Sequence, residues 1–314
     1  PGNAEALTLE ASLWVNDGDK DKATLQLEKV VERAPGLESA ALLLSSLYDQ
    51  QERTQDAEAV LINAAKVSPE PIFLRQRLAV HYVNSKQNDK AEAVLRQIVE
   101  ENPDKLSYRV TLASFLNQSK QTDKAEKVLS EAIAADPEDA QRYLLLIEFL
   151  ASRKSKEVAI EKLRQFIQQQ PDMTELQMSL VKLYLDNEQN DDAKEALQAL
   201  IDRQGTEPAG LRARTLLAQI LAAENIDDEH VPVLIKEVLD ENPRDNDALL
   251  LKGKLAASNK DYVEAINSFR SVLKDQPNNP NVLQLLAASH LANKEPELAL
   301  DTLRRGVENN PGDS

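Results

Sequence analysis

The chain has no cysteine, few aromatic residues, little glycine and almost no histidine, and each shortage closes a class of function. Without cysteine there is no disulfide, no thiolate nucleophile and no Cys-ligated zinc. Aromatic residues make up only 4% of the 314, while Leu and Ala are abundant, a balance that favours helices over sheets. The 8 glycines form no phosphate-binding loop, and no Gly-x-Ser-x-Gly elbow occurs. The three histidines, His81, His230 and His290, are too far apart in sequence to form an i, i+4 metal pair. The net charge of −16 repels duplex nucleic acid and anionic lipid, so neither is an expected partner. No apolar run is long enough to cross a membrane, so direct insertion of this segment is not expected either.

What is present is a clock. Pro35, Pro69, Pro103, Pro137 and Pro171 lie 34 residues apart, and Pro243, Pro277 and Pro311 resume the interval, with Pro1 also in phase. Ala23, Ala57, Ala91, Ala125, Ala159 and Ala193 keep the same time; Ala265 and Ala299 rejoin after a four-residue insertion. Leu27, Leu61, Leu95, Leu129, Leu163, Leu197 and Leu303 form a further column, with Phe269 as its substitute. Small or hydroxylated residues recur at Ala11, Ser45, Ala79, Ala113, Gly253 and Ala287, followed three residues later by Trp14, Tyr48 and Tyr82. The alanines allow two helices to approach closely, where a larger side chain would wedge them apart. The prolines stop a helix, and Gly18 or polar runs such as Gln87-Asn88-Asp89 supply a turn and cap the helix that follows.

A 34-residue period with small, aromatic, Ala, Leu and Pro columns resembles the tetratricopeptide repeat. The resemblance implies an all-α, right-handed superhelical solenoid of nine helix-turn-helix repeats. They fall at about 4–37, 38–71, 72–105, 106–139, 140–173, 174–211, 212–245, 246–279 and 280–313, and 1–314 reads as a single solenoid. The period breaks over 201–232: Ile201 to Gly210 reads as a lengthened turn, and Val231 stands where Ala is expected. That irregularity is either a tolerated insertion or a kink that re-aims the groove or contacts a partner. The chain lacks an initiator Met and has no polar capping helix at its end. It is therefore expected to be part of a longer protein with an apolar end face suited to self-association.

Nothing suggests catalysis or a cofactor. Asp56, Glu58, Glu92, Glu126 and Glu161 recur on second helices as solvated carboxylates, and an open solenoid lacks the desolvated cleft that a catalytic pair requires. Placed on the repeat, the resemblance makes the first helix of each pair the wall of a concave groove. The candidate binding residues there are Asn16, Gln50, Arg77, Asn84, Gln118, Leu144, Lys182, Leu217, Leu251 and Lys254. Asn16, Gln50, Asn84 and Gln118 form a ladder of side-chain amides, which either holds an extended peptide backbone or simply ends each helix before its turn. The leucines suit a helix or an apolar segment. Some relatives grip a terminal carboxylate with basic residues, but the matching positions here, such as Thr8, Leu42, Gln76 and Val110, are not basic, so no such clamp is expected. The expected role is a protein-interaction scaffold for a peptide or partner protein. Degenerate Ala/Leu-rich arrays of this kind resemble bacterial envelope proteins of exopolysaccharide export. This favours the periplasm, with a cytosolic chaperone adaptor or assembly protein as the alternative.

Overall fold

The computed structural model describes residues 3–226 and 228–309; Pro1, Asp227 and Pro311 lie outside the described residues. Eighteen α-helices follow one another in pairs, and no strand occurs among the described residues. The first pairs are α1 (Ala4–Asn16) with α2 (Lys20–Arg33), α3 (Glu38–Gln50) with α4 (Thr54–Val67), and α5 (Ile72–Asn84) with α6 (Asn88–Glu101). They continue with α7 (Leu106–Gln118) and α8 (Thr122–Ala135), α9 (Ala140–Arg153) and α10 (Lys156–Gln169), and α11 (Thr174–Asp186) and α12 (Asn190–Gln204). The last are α13 (Pro208–Glu224) and α14 (His230–Glu241), α15 (Asn246–Ser258) and α16 (Tyr262–Asp275), and α17 (Pro280–Ala292) and α18 (Pro296–Asn309). They divide into two compact units, residues 1–154 and 155–314, with the boundary between α9 and α10.

The predicted columns explain the packing within each unit. All eight in-phase alanines, Ala23 through Ala299, are buried, as is Val231 in their column. Apart from Ala159, whose helix opens the second unit, each lets a second helix sit close against the first helix of its pair. The leucine column fills the seam with the next pair: Leu27, Leu61, Leu163, Leu197 and Phe269 are fully buried. Gly253 opposes Phe269 so closely that a Cβ on it would lie 2.5 Å from the ring. The large substitute in one column is therefore matched by the absence of a side chain in the other. Leu303, in the same column on α18, is 42% exposed.

The turns are more uniform than their residues suggest. In seven pairs the second residue after the cap bonds back to the aromatic column, as in Asp19 N to Trp14 O and Arg53 N to Tyr48 O, both 2.8 Å. This is the backbone closure of a helix C-terminus that requires a left-handed residue. Gly18 supplies one at φ 88°, but Glu52, Lys86, Lys120, Glu188, Lys260 and Lys294 adopt φ of 58–65° without glycine's freedom. Capping also departs from expectation. Gln87 and Gln189, the residues preceding α6 and α12, make no side-chain cap bond. Asp19, Ser155 and Asp261 do cap their helices through the side chain.

The insertion is not the long turn the sequence suggests. α12 runs on to Gln204, and α13 begins at Pro208 and extends for 17 residues, so most of Ile201–Gly210 is helical. Gly205 turns the chain at φ 53°, and a Cβ on Gly210 would fall 2.2 Å from its carbonyl oxygen. The lengthening shifts the register of α13 by one, so that Ala218 takes the buried small position. Pro232 sits in the first turn of α14, where its missing N–H costs nothing.

Tyr48 and Tyr82 are buried with their hydroxyls donating to Glu28 and Glu58, both at 2.8 Å. Burial, then the carboxylate partner, pushes each phenol up to about 12. Between the unfolded value of 10 and about 12, the unfolded chain loses the phenolic proton while the folded chain keeps it. Stability is therefore expected to fall as pH rises through that window, and urea midpoints measured in Tyr48→Phe/Tyr82→Phe should fall less steeply. The alanine column makes a separate prediction: Ala91→Leu should lower unfolding free energy by roughly 1–3 kcal/mol in urea melts, and an unchanged midpoint would refute the close approach.

Candidate functional site

The first helices of successive pairs touch one another, α1 with α3, α3 with α5, α13 with α15 and α15 with α17. They form one face within each unit. On a helix, residues at i, i+4, i+7 and i+11 align into a stripe. In residues 1–154 the stripes facing away from the second helices read Glu5, Leu9, Ser12 and Asn16; Ser39, Leu43, Ser46 and Gln50; Phe73, Arg77, Val80 and Asn84; Ser107, Thr111, Ser114 and Gln118; and Gln141, Leu145, Glu148 and Ser152. Each of the four predicted amides is the last residue of its helix and is exposed. Phe73 is 63% exposed and Val80 nearly half, both unusual for large apolar residues on a helix whose other side is core.

Arg77 carries the one cation of these stripes, and it is not free. Its guanidinium donates to Asp49 at 2.5 Å, while the other Asp49 oxygen lies 2.7 Å from His81 Nδ1. His81 is 0% exposed and its Nε2 has no partner. The cluster ties α5 to α3, so Arg77 acts first as a brace between repeats. His290 is likewise buried and bonded, with Nδ1 2.6 Å from Glu295. His230 is exposed beside Asp228. Among the described residues no group of three or more His, Cys, Asp or Glu side chains is placed to hold a metal.

Two clefts open on this face. Between α7 and α9 a cavity of about 210 Å³ is lined by Val110, Ser114, Asn117, Leu145, Glu148 and Arg153. Between α13 and α15 another of about 230 Å³ is lined by Gln219, Ala222, Ile226, Asp247, Leu250 and Lys254. The predicted residues separate accordingly. Lys182 and Lys254 are exposed, and Lys254 walls a cleft. Leu144 is half-buried. Leu217, at 7% exposure, packs with the core of α13 rather than lining a groove, because the register shift turned it inward. Leu251, at 6%, joins the cluster of Ala218, Val231 and Ile235, and reaches the second cleft only as its floor.

A larger cleft, about 360 Å³, lies elsewhere, among α14, α15 and α16, where the groove positions do not point. Its signal in the sequence is an interruption of the aromatic column at Ala256. In residues 1–154 the second helices carry carboxylates spanned by cations. Lys90 and the Tyr82 hydroxyl hold Glu58 below the usual carboxylate range, against the upward push of burial. Lys124 reaches Glu92 in the same way.

A family model for the tetratricopeptide repeat matches residues 50–109, 157–220 and 256–314, and a second model of that description matches residues 114–174. Among solved structures, the chain is similar to the C-terminal part of a TPR repeat-containing protein from Cytophaga hutchinsonii. That match has 14% identity over 78% of this chain and 99% of the other, with a TM-score of 0.48. A tetratricopeptide repeat protein from Parabacteroides merdae ATCC 43184 matches at 15% identity over 91% and 98%, TM-score 0.39. YrrB, described as a TPR protein with an unusual peptide-binding site, matches at 17% over 59% and 93%, TM-score 0.41. At these scores the likenesses add nothing to the family matches. No curated protein matches the chain.

The Asp49 brace is testable. Asp49→Ala leaves buried His81 and half-buried Arg77 without their acceptor and should cost about 1–3 kcal/mol of unfolding free energy. Arg77→Ala, which keeps the Asp49–His81 contact, should cost less. Equal losses in paired urea melts would show that His81 contributes nothing.

Proposed function

This chain belongs to the tetratricopeptide repeat family, and from that premise we propose that it is a binding scaffold whose first-helix face in residues 1–154 receives an extended peptide. Members of the family generally mediate protein–protein contact, and the fold is in general a scaffold rather than a catalyst. One observation carries the proposal: on a chain of net charge −16, the stripes from Glu5 to Ser152 are built mostly from hydroxyls, amides and apolar side chains, with Glu5 and Glu148 as their carboxylates. Their single cation is neutralised by Asp49. Amides both donate and accept, so Asn16, Gln50, Asn84 and Gln118 suit the alternating N–H and C=O groups of a peptide backbone. Phe73 and Val80 offer apolar contact between them.

The narrower form of the proposal places the partner in a bacterial envelope complex for polysaccharide or protein export, with a cytosolic chaperone adaptor or assembly factor as the alternative. The comparisons favour neither. Among the described residues no helix is long and apolar enough to cross a membrane.

Peptides selected from a random display library against the purified chain provide the test. Their affinity should fall about tenfold in Asn84→Ala/Gln118→Ala, the loss of about two hydrogen bonds, with an unchanged melting curve. Because the stripes carry no unpaired cation, the affinity should also change little as salt is raised. Peptides that bind the double variant equally well would leave the amides with a turn-ending role alone.

A further inference from the structure

We propose that the cleft beside Ala256 is a socket for the aromatic ring of a tyrosine presented by a partner polypeptide. The chain itself supplies the template. One position in the first helices that follow another pair, close to the helix end, packs against the second helix of that preceding pair. It is occupied by Tyr48, Tyr82, Leu116, Leu150, Tyr184 and His290, all buried. At Ala256 the column holds a methyl group, and the space normally taken by a ring is open.

The walls of the cleft are those of a tyrosine site. Relative to Tyr48, the surrounding residues fall at fixed offsets in the repeat. Leu27, Glu28 and Val31 of α2 become Ile235, Lys236 and Leu239 of α14, and each of these three lines the cleft. Arg53, whose guanidinium lies 4.0 Å from the centre of the Tyr48 ring, becomes Asp261, and Asp56 becomes Glu264. The apolar floor is therefore retained while the side chain that should cover it is absent.

Two features make this a site rather than a packing fault. Where Leu44 fills the wall beside Tyr48, the cleft has Lys252, drawn aside to Glu264 at 2.6 Å, so the mouth stays open. At the position of Glu28, which accepts from the Tyr48 hydroxyl, stands Lys236, a donor. A cation at this position already meets a phenol in the chain: Arg164 Nε donates to the Tyr184 hydroxyl at 2.6 Å. An incoming tyrosine would place its ring over Ile235, Leu239 and Ala256 and accept from Lys236 at its hydroxyl. The rim's ion pairs, Lys236–Asp240 and Lys252–Glu264, leave Asp261 as the one surplus charge, which suits an uncharged aromatic tip better than an acidic side chain. This socket lies against a second helix and does not depend on the first-helix face that takes the extended peptide.

The test is a titration of the 15N-labelled chain with N-acetyl-L-tyrosinamide, with Ala256→Tyr as the filled-socket variant and Ala256→Leu as a smaller filler, equivalent to Leu116 and Leu150. The probe should shift amides of α14, α15 and α16 saturably, with a dissociation constant on the order of 1 mM. Both variants should raise the urea midpoint and abolish the shifts. Absence of saturable shifts, or shifts that persist in both filled variants, would overturn the proposal. Loss of stability in both variants would also overturn it, because it would mean that no side chain fits there. Light scattering of the unmodified chain should show a concentration-independent mass. Association that Ala256→Tyr removes would instead put a side chain of a second copy of this chain in the socket and overturn the assignment to a different partner.

Discussion

Two helices can lie flush only where one of them has almost no side chain, and this constraint organises the whole chain. The buried alanines from Ala23 to Ala299 are places where any larger group would lever a pair apart, and the neighbouring columns are sized to that spacing. Leucine then bridges to the following pair, and an aromatic or leucine side chain closes the corner. The exceptions obey the same geometry. Val231 is accommodated in a pair whose first helix has slipped by one residue, and Phe269 is accommodated because Gly253 gives way completely.

That economy makes most of the fold legible from residue spacing. Period, helix count and core columns all follow from what a close helix pair demands, and the prolines mark where each second helix must stop. What spacing does not reveal is the local backbone chemistry. The turn closes through backbone bonds from Arg53 to Tyr48 and its equivalents, so it tolerates Glu52, Lys86 or Lys120 in the left-handed conformation. Residue types alone point to glycine or a capping side chain there, and Gln87 and Gln189 provide neither. The insertion misleads for a related reason: Pro208 can open a helix as readily as it can mark a loop, and the four extra residues lengthen α12 and α13 instead of looping out.

The candidate face is legible as a face but not residue by residue. A repeat position states which way a side chain leaves its helix, while depth depends on the size of its neighbours. Leu217 and Leu251 stand at groove positions and are buried, Leu217 because α13, which carries it, has shifted by one residue, and Leu251 because it packs on Ala218 of that helix. Arg77 stands at a groove position and is held by an acid 28 residues earlier, a pairing that helical periodicity alone does not disclose. The socket at Ala256 escapes a reading by period because a regular pattern draws attention to the columns that are filled.

Charge separates the two surfaces of the repeat. The second helices carry acids at matching positions, Glu58, Glu92 and Glu126, each reached by a lysine of the next turn or helix, Lys90, Lys124 and Lys154. Exposed pairs of this kind add little stability, but they use up cations on that side of the chain. The outward stripes of the first helices in residues 1–154 carry mostly hydroxyls, amides and a few apolar tips, and their one guanidinium, that of Arg77, is spent on Asp49. A partner arriving there meets hydrogen-bonding groups that cannot be screened and apolar surface that cannot be titrated. In the proposed reading, recognition on that face depends on shape and backbone geometry, while the surrounding negative charge disfavours acidic competitors before contact is made.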